Sequence, residues 1–276
     1  MRAALVQLSS SDDPVENLKQ TVGFVSEAAG GGARFILTPE VTNCVSGCRT
    51  HQADVLVVEE EDATLEALRV EAERLDVWLL IGSLALKSDA ADGRFVNRSF
   101  LVRPDGSIAA RYDKIHMFDV TLSEEEIYRE SDGYRPGDRA VASDVDGVPV
   151  GLTICYDLRF PYMYRGLSKA GARILTVPSA FSPETGKAHW EVLLRARAIE
   201  TGSFVLAPAQ CGTHQASRGR QRRTYGHSLA VDPWGQVLAD GGDMPGVTQV
   251  DLDLSKVEDV RSRLPSLMHE RDYIKA

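Results

Sequence analysis

Two rhythms of apolar and polar positions alternate along the chain. RAALVQL (2–8), RFILTPE (34–40), VWLLIGS (77–83), RILTVPS (173–179) and FVLAPAQ (204–210) are short apolar runs, the length of strands covered on both faces. Between them, residues 12–32, 61–76, 162–172 and 186–202 carry apolar positions at helical spacing. Asp13 is placed to cap the first of these helices, with Pro14 in its first turn and the glycine triplet 30–32 as its stop. Gly171 closes the third. Residues 95–102 and 108–114 flank an Arg-Pro-Asp-Gly-Ser turn, 140–155 holds two strands about Asp-Gly, and 225–240 reads as a hairpin about Asp-Pro-Trp-Gly. VTQVDLDL (247–254) is the last predicted strand. This alternation predicts a layered α/β protein. The hairpins favour a mixed sheet, or two packed sheets with helices outside, over one parallel sheet. No repeat, low-complexity stretch or linker divides residues 1–276, so a single domain is expected.

Composition narrows the partners. The net charge of −9 argues against nonspecific binding to nucleic acid or to an anionic membrane, yet leaves room for a small anionic substrate in a locally positive pocket. The N-terminal MRAALVQLSSSDDP has no apolar core behind a basic region, and no apolar run approaches the roughly 20 residues of a membrane span. With only four cysteines, Cys44, Cys48, Cys155 and Cys211, a disulfide scaffold is not expected. The expectation is a cytoplasmic protein with reduced thiols.

Three apolar runs end on reactive side chains: RFILTP on Glu40, IAARYD on Lys114 and GLTI on Cys155. Loops at the carboxyl ends of strands are where α/β proteins assemble their sites. A carboxylate could take the thiol proton as the sulfur attacks a carbonyl, working best if burial raised its pKa. A lysine ammonium and a backbone N–H after Cys155 could stabilise the oxyanion. Each residue also has an ordinary reading, as core, turn or solvated surface, and His116 or His189 could serve as the base instead.

TPE (38–40), YDKIHMFD (112–119) and CYDLRFP (155–161) together resemble the three signature motifs of the nitrilase superfamily of carbon–nitrogen hydrolases, in the same order and across nearly the whole chain. The resemblance implies a four-layer αββα sandwich, a homodimer or higher homo-oligomer, and a cofactor-free and metal-free Glu-Lys-Cys set. In that set Glu40 is the base, Lys114 the oxyanion stabiliser and Cys155 the nucleophile, with the backbone N–H of Tyr156 as second donor. YRESDGYRPGD (128–138) resembles the family's further glutamate segment, which makes Glu130 the residue that steadies Lys114, with Glu124, Glu125 and Glu126 as rivals. PSAFSPETGKAHWEVLLRARAIET (178–201), AQCGTH (209–214) and YGHSLAVDPWG (225–235) resemble the branch of amidases acting on deaminated glutathione. That branch would release 2-oxoglutarate and cysteinylglycine. An ω-amidase releasing ammonia from 2-oxoglutaramate is the alternative.

A 2-oxo acid needs a cation and small donors. Arg159 offers a planar fork for the carboxylate, Thr185 a donor or a helix cap, and Phe181 a wall. CVSGCRTH (44–51) has metal-like spacing without an evident fourth ligand, and is expected to rim the pocket. The arginine-rich ASRGRQRRTYG (216–226) lacks interleaved aromatics, so a loop at the pocket mouth, not a nucleic-acid surface, is expected.

Overall fold

The computed structural model describes residues 1–124 and 126–274. In the first half the elements are β1 (Arg2–Gln7), α1 (Pro14–Gly30), β2 (Phe35–Leu37), α2 (Arg49–Val55), α3 (Ala63–Leu75), β3 (Trp78–Leu86), β4 (Val96–Val102), β5 (Ile108–Asp113) and a small hairpin of β6 (Asp119–Thr121) and β7 (Ile127–Arg129). The second half continues with β8 (Val141–Val145), β9 (Val148–Leu152), α4 (Pro161–Lys169), β10 (Ile174–Thr176), α5 (Pro183–Thr201) and β11 (Phe204–Ala207). A second small hairpin, β12 (Cys211–Thr213) and β13 (Arg223–Tyr225), precedes β14 (Leu229–Val231), β15 (Val237–Asp240), β16 (Gly246–Asp251) and α6 (Ser255–Arg263).

The strands form two six-stranded sheets, ordered β16-β1-β2-β3-β4-β5 and β15-β14-β11-β10-β9-β8. Each has three parallel strands in the middle, β1-β2-β3 or β9-β10-β11, flanked by antiparallel ones. Side-chain alternation assigns the faces. Ala3, Leu5, Phe35 and Leu37 join Val150, Leu152, Ile174 and Leu206 in a core between the sheets. Their neighbours Ala4, Val6 and Ile36 point the other way, onto Val25 and Ala28 of α1 and Leu65 and Leu68 of α3. On the far side, Leu167 of α4 and Trp190 and Leu194 of α5 cover the second sheet. The result is a four-layer αββα sandwich, closed by β16 returning from the second half to pair with β1.

The cap on α1 forms as the sequence implies: Asp13 accepts from the N–H groups of Val15 and Glu16. Helix α5 begins three residues earlier than its periodicity suggests, because Ser182 caps it and Pro183 opens it. Thr185 is therefore inside the first turn and is not the cap.

Gly82 is the point of closest approach beneath the site. A methyl group there would collide with the carbonyl oxygen of Thr38 and lie 2.6 Å from that of Pro39 and 2.5 Å from Cβ of Pro178. Because the obstacles are backbone and proline, Gly82→Ala is expected to destabilise the protein by about 3 kcal/mol. Urea unfolding measures this, and the Thr38–Glu40 segment carries the displacement into lost activity.

Candidate active site

Residues 40, 114 and 155 lie beyond the carboxyl ends of β2, β5 and β9, and the sandwich brings those three ends together. Glu40 Oε1 accepts from Lys114 Nζ at 2.8 Å and from Asn97 Nδ2 at 2.9 Å, while Oε2 accepts from the N–H of Ala180 at 2.9 Å. Lys114 Nζ also donates to both oxygens of Glu130 at 2.9 Å. The Cys155 sulfur stands beside the Glu40 carboxylate and the Ala180 N–H, close enough for each to act on its ionisation. Glu40, Lys114 and Cys155 are all buried.

Two residues of the site hold a strained backbone. Val41, next to Glu40, has φ +48°, and Cys155 has φ +48° as well. Non-glycine residues in that region cost on the order of 1–3 kcal/mol and persist only where the surroundings hold them. The Val41 N–H donates to Ser83 Oγ at 2.8 Å, and that of Cys155 to the Pro178 carbonyl at 2.9 Å. Cys155 opens a short 3-10 turn through Arg159, so the N–H of Tyr156 is one of the starting amides that the turn itself leaves unpaired.

Asp157, fully buried, holds this turn against the lysine segment. Its carboxylate accepts from Tyr112 Oη at 2.6 Å, the Ile154 N–H at 2.8 Å, the His116 N–H at 3.1 Å and His116 Nδ1 at 2.7 Å. One carboxylate thus ties the Lys114 and Cys155 motifs together. Asp157→Ala strands these donors and is expected to cost about 3–5 kcal/mol in chemical denaturation. Activity is expected to fall with it.

The charges settle in a definite order. For Glu40, burial favours the neutral acid, but the Lys114 ammonium and the bonds to it outweigh burial and hold the carboxyl below its ordinary value of 4.5. A base raised by burial is therefore not what the fold provides, because its counter-cation is buried with it. Burial also works against the Lys114 ammonium, yet Glu130 and Glu40 hold its pKa well above normal. Burial, then the Glu40 charge, push the Cys155 thiol strongly up despite the attraction of Lys114. The resting site is carboxylate, ammonium and neutral thiol.

Because its pKa in the fold is lowered, Glu40 contributes stability that is fully present above pH 4.5 and is lost as the pH falls through the lowered value. The acid limb of kcat/KM is expected below pH 4.5, with no titration of this group between 5 and 8. A kcat/KM profile with a midpoint near 6–7 would point to a different base.

A cavity of about 690 Å³ opens over this set. Its lining includes Glu130, Tyr156, Phe181 and Thr185 as well as the three reactive residues. Phe181 packs on Trp190 with ring centres 4.8 Å apart, and Thr185 Oγ1 meets Ser182 Oγ at 2.9 Å. Of the glutamates considered for Lys114, Glu130 makes the contact, Glu126 lines the cavity, Glu124 does neither, and Glu125 lies outside the described residues. Arg159 departs from expectation: it does not line the cavity. Its guanidinium is drawn to His189 Nδ1 at 3.2 Å and packs on the rings of Tyr156 and Phe181. His116 is held by Asp157 and Tyr162, and His189 is exposed, so neither histidine lines the site.

The cysteine-rich segment does rim the cavity through Cys44, Ser46, Gly47 and Arg49, and the basic loop through Arg220–Arg223. Asn97, Asp157 and Arg222 are the residues that sequence reasoning missed. The polar Asn97 within the apolar FVNRSF strand was the available signal.

A family model described as carbon-nitrogen hydrolase matches residues 2–262. The chain is 38% identical to a deaminated glutathione amidase of Yersinia enterocolitica over 272 residues, which is 97% of this chain and 92% of that protein. It is 37% identical to the Homo sapiens protein of the same name, over 97% of this chain and 81% of that one. Among solved structures, Saccharomyces cerevisiae Nit3, a member of branch 10 of the nitrilase superfamily, matches with TM-score 0.84 at 26% identity, covering 96% of this chain and 94% of that one. The C. elegans NitFhit protein matches with TM-score 0.90 at 33% identity, and this chain, 98% covered, spans 65% of that longer one. With fold, motif order and these relatives in agreement, the chain belongs to the carbon–nitrogen hydrolase family of the nitrilase superfamily and is a hydrolase of amides.

Proposed function

We propose that the protein hydrolyses the amide of deaminated glutathione through a thioester on Cys155. The sulfur attacks the amide carbonyl while Glu40 takes the thiol proton, and Lys114 Nζ and the Tyr156 N–H receive the developing oxyanion. Protonated Glu40 then gives its proton to the departing nitrogen, and the C–N bond breaks to leave the thioester. Water enters, again deprotonated by Glu40, and adds to the carbonyl. Collapse releases the carboxylic acid and returns the proton to sulfur. Glu130 keeps the ammonium in place throughout.

The observation that carries this reading is the chain of contacts from Glu130 through Lys114 and Glu40 to the Cys155 thiol, in one cavity. The substrate assignment rests on the names of the relatives and on a cavity roomy enough for more than a small primary amide. Phe181 and Thr185 form the acyl end, while Arg159, outside the lining, is assigned no contact with the substrate. A cytoplasmic setting fits the four free thiols. A homodimer fits the exposed Val192 and Ile199, one face of α5, beside the exposed Trp234.

Mass spectrometry of protein quenched with deaminated glutathione tests the reading. A 2-oxoglutaryl adduct on the peptide containing Cys155, with cysteinylglycine as product, supports it. Ammonia released far faster from 2-oxoglutaramate would move the assignment to an ω-amidase, and an unmodified Cys155 would end it.

A further inference from the structure

The described lining of the cavity has a sign opposite to that of the whole molecule. The chain carries −9, yet among the described lining residues Lys114 and five arginines face four glutamates. Lys114 is consumed by Glu40 and Glu130. Three of the five arginines lie on the segment 220–223.

Arg222 is the member of that group set deepest in the wall. Its Nη2 reaches only a neutral acceptor, the Ala180 carbonyl at 3.3 Å, and its Nε is buried without a hydrogen-bond partner. Among the described residues no carboxylate pairs with it. A buried guanidinium N–H that folding leaves unsatisfied is costly unless a ligand completes it. The ligand that a guanidinium fork completes best is a carboxylate.

The position of Arg222 says which part of an amide substrate would bring that carboxylate. Ala180 links the two groups: its N–H binds Glu40 Oε2 and its carbonyl binds Arg222. The charge of Arg222 is also felt at Glu40. Glu40 must hand its proton to the departing nitrogen, so the leaving group passes on the Glu40 side of the sulfur. Thr185 and Tyr156, on the acyl side of this reading, line the same cavity. The arginine loop meets the cysteine-rich rim there, with Arg218 paired to Asp54 at 2.8 Å and Gly219 against Cys48. An extended dipeptide reaches at most about 7 Å from its first nitrogen. That span suits a carboxylate bound one residue's width beyond Glu40.

We propose that Arg222 is a specificity-determining residue that receives the carboxylate of the leaving amine, so that the enzyme selects amides of carboxylate-terminated amines, of the dipeptide class, over otherwise equal amides lacking that charge. This rests on the amidase reading above and adds the leaving-group side to it.

The test uses two 2-oxoglutaryl amides that differ only at the far end, one of cysteinylglycine and one of cysteinylglycinamide. The wild type is expected to prefer the acid, and Arg222→Gln to reduce that preference by about tenfold or more, the worth of a charge-assisted bond. Arg222→Lys is expected to keep part of it. A preference unchanged by Arg222→Gln, or absent in the wild type, overturns the proposal. Calorimetry on Cys155→Ala protein separates this from a wrong acyl assignment. If neither amide is cleaved, the acyl reading fails, and binding of free cysteinylglycine over its carboxamide, lost in Arg222→Gln, still decides the role of Arg222.

Discussion

Cys155→Ala is expected to abolish turnover, with kcat falling by about 10⁴-fold or more, as when the nucleophile of a covalent hydrolase is removed. The argument is chemical. Glu40 has a second task, activating water, but direct attack of water on an amide forgoes the thioester that splits one hard step into two. The fold should survive. The side chain is small, alanine at φ +48° is strained no more than cysteine, and the bonds from Cys155 N–H to Pro178 and from Ile154 to Asp157 involve backbone atoms of the turn. A melting temperature close to wild type, with no adduct and no product, is the expected pattern. Turnover within tenfold of wild type would remove Cys155 from the mechanism.

Lys114→Met is expected to damage both rate and stability. Methionine fills much the same volume but leaves Glu40 and Glu130 facing each other without the cation that both bind at 2.8–2.9 Å. Removing one partner of a buried ion pair costs about 3–5 kcal/mol. Losing an oxyanion donor costs a further factor of about 10²–10³ in kcat. Glu40 would also lose the attraction that holds it ionised, so burial would push its pKa up. Adding Glu130→Gln removes one of the stranded charges. The double variant is expected to recover part of the stability, read by denaturation, and none of the rate. Recovery of both would make Lys114 a packing element and not an oxyanion donor.

How far the site could be read in the sequence follows from how local each feature is. The strand ends delivering Glu40 and Cys155 were legible, because a strand covered on both faces writes itself as an apolar run and the break is sharp, whereas β5, which delivers Lys114, is an edge strand of half-buried and exposed residues and not the buried run expected of it. The small hairpins β6–β7 and β12–β13 were not: their strands are three residues long, too short for period-2 alternation to show. Helix α2 lies hidden in the cysteine-rich segment, where its seven residues give barely two turns of pattern. Arg159 looked like a carboxylate fork from its place after Cys155, yet its orientation is set by His189 and two rings that sequence spacing cannot position.

The sequence by itself determined the layered α/β class, the strand-end placement of the reactive trio and the acidic whole, since apolar periodicity and net charge are properties of the chain alone. Only the tertiary structure decided that Glu40 is held ionised and not raised, that Asp157 binds two distant motifs together, and that Arg222 lines the same cavity as Cys155. Protonation and local potential depend on distances between groups far apart in sequence. Those distances exist only once the two sheets have closed face to face.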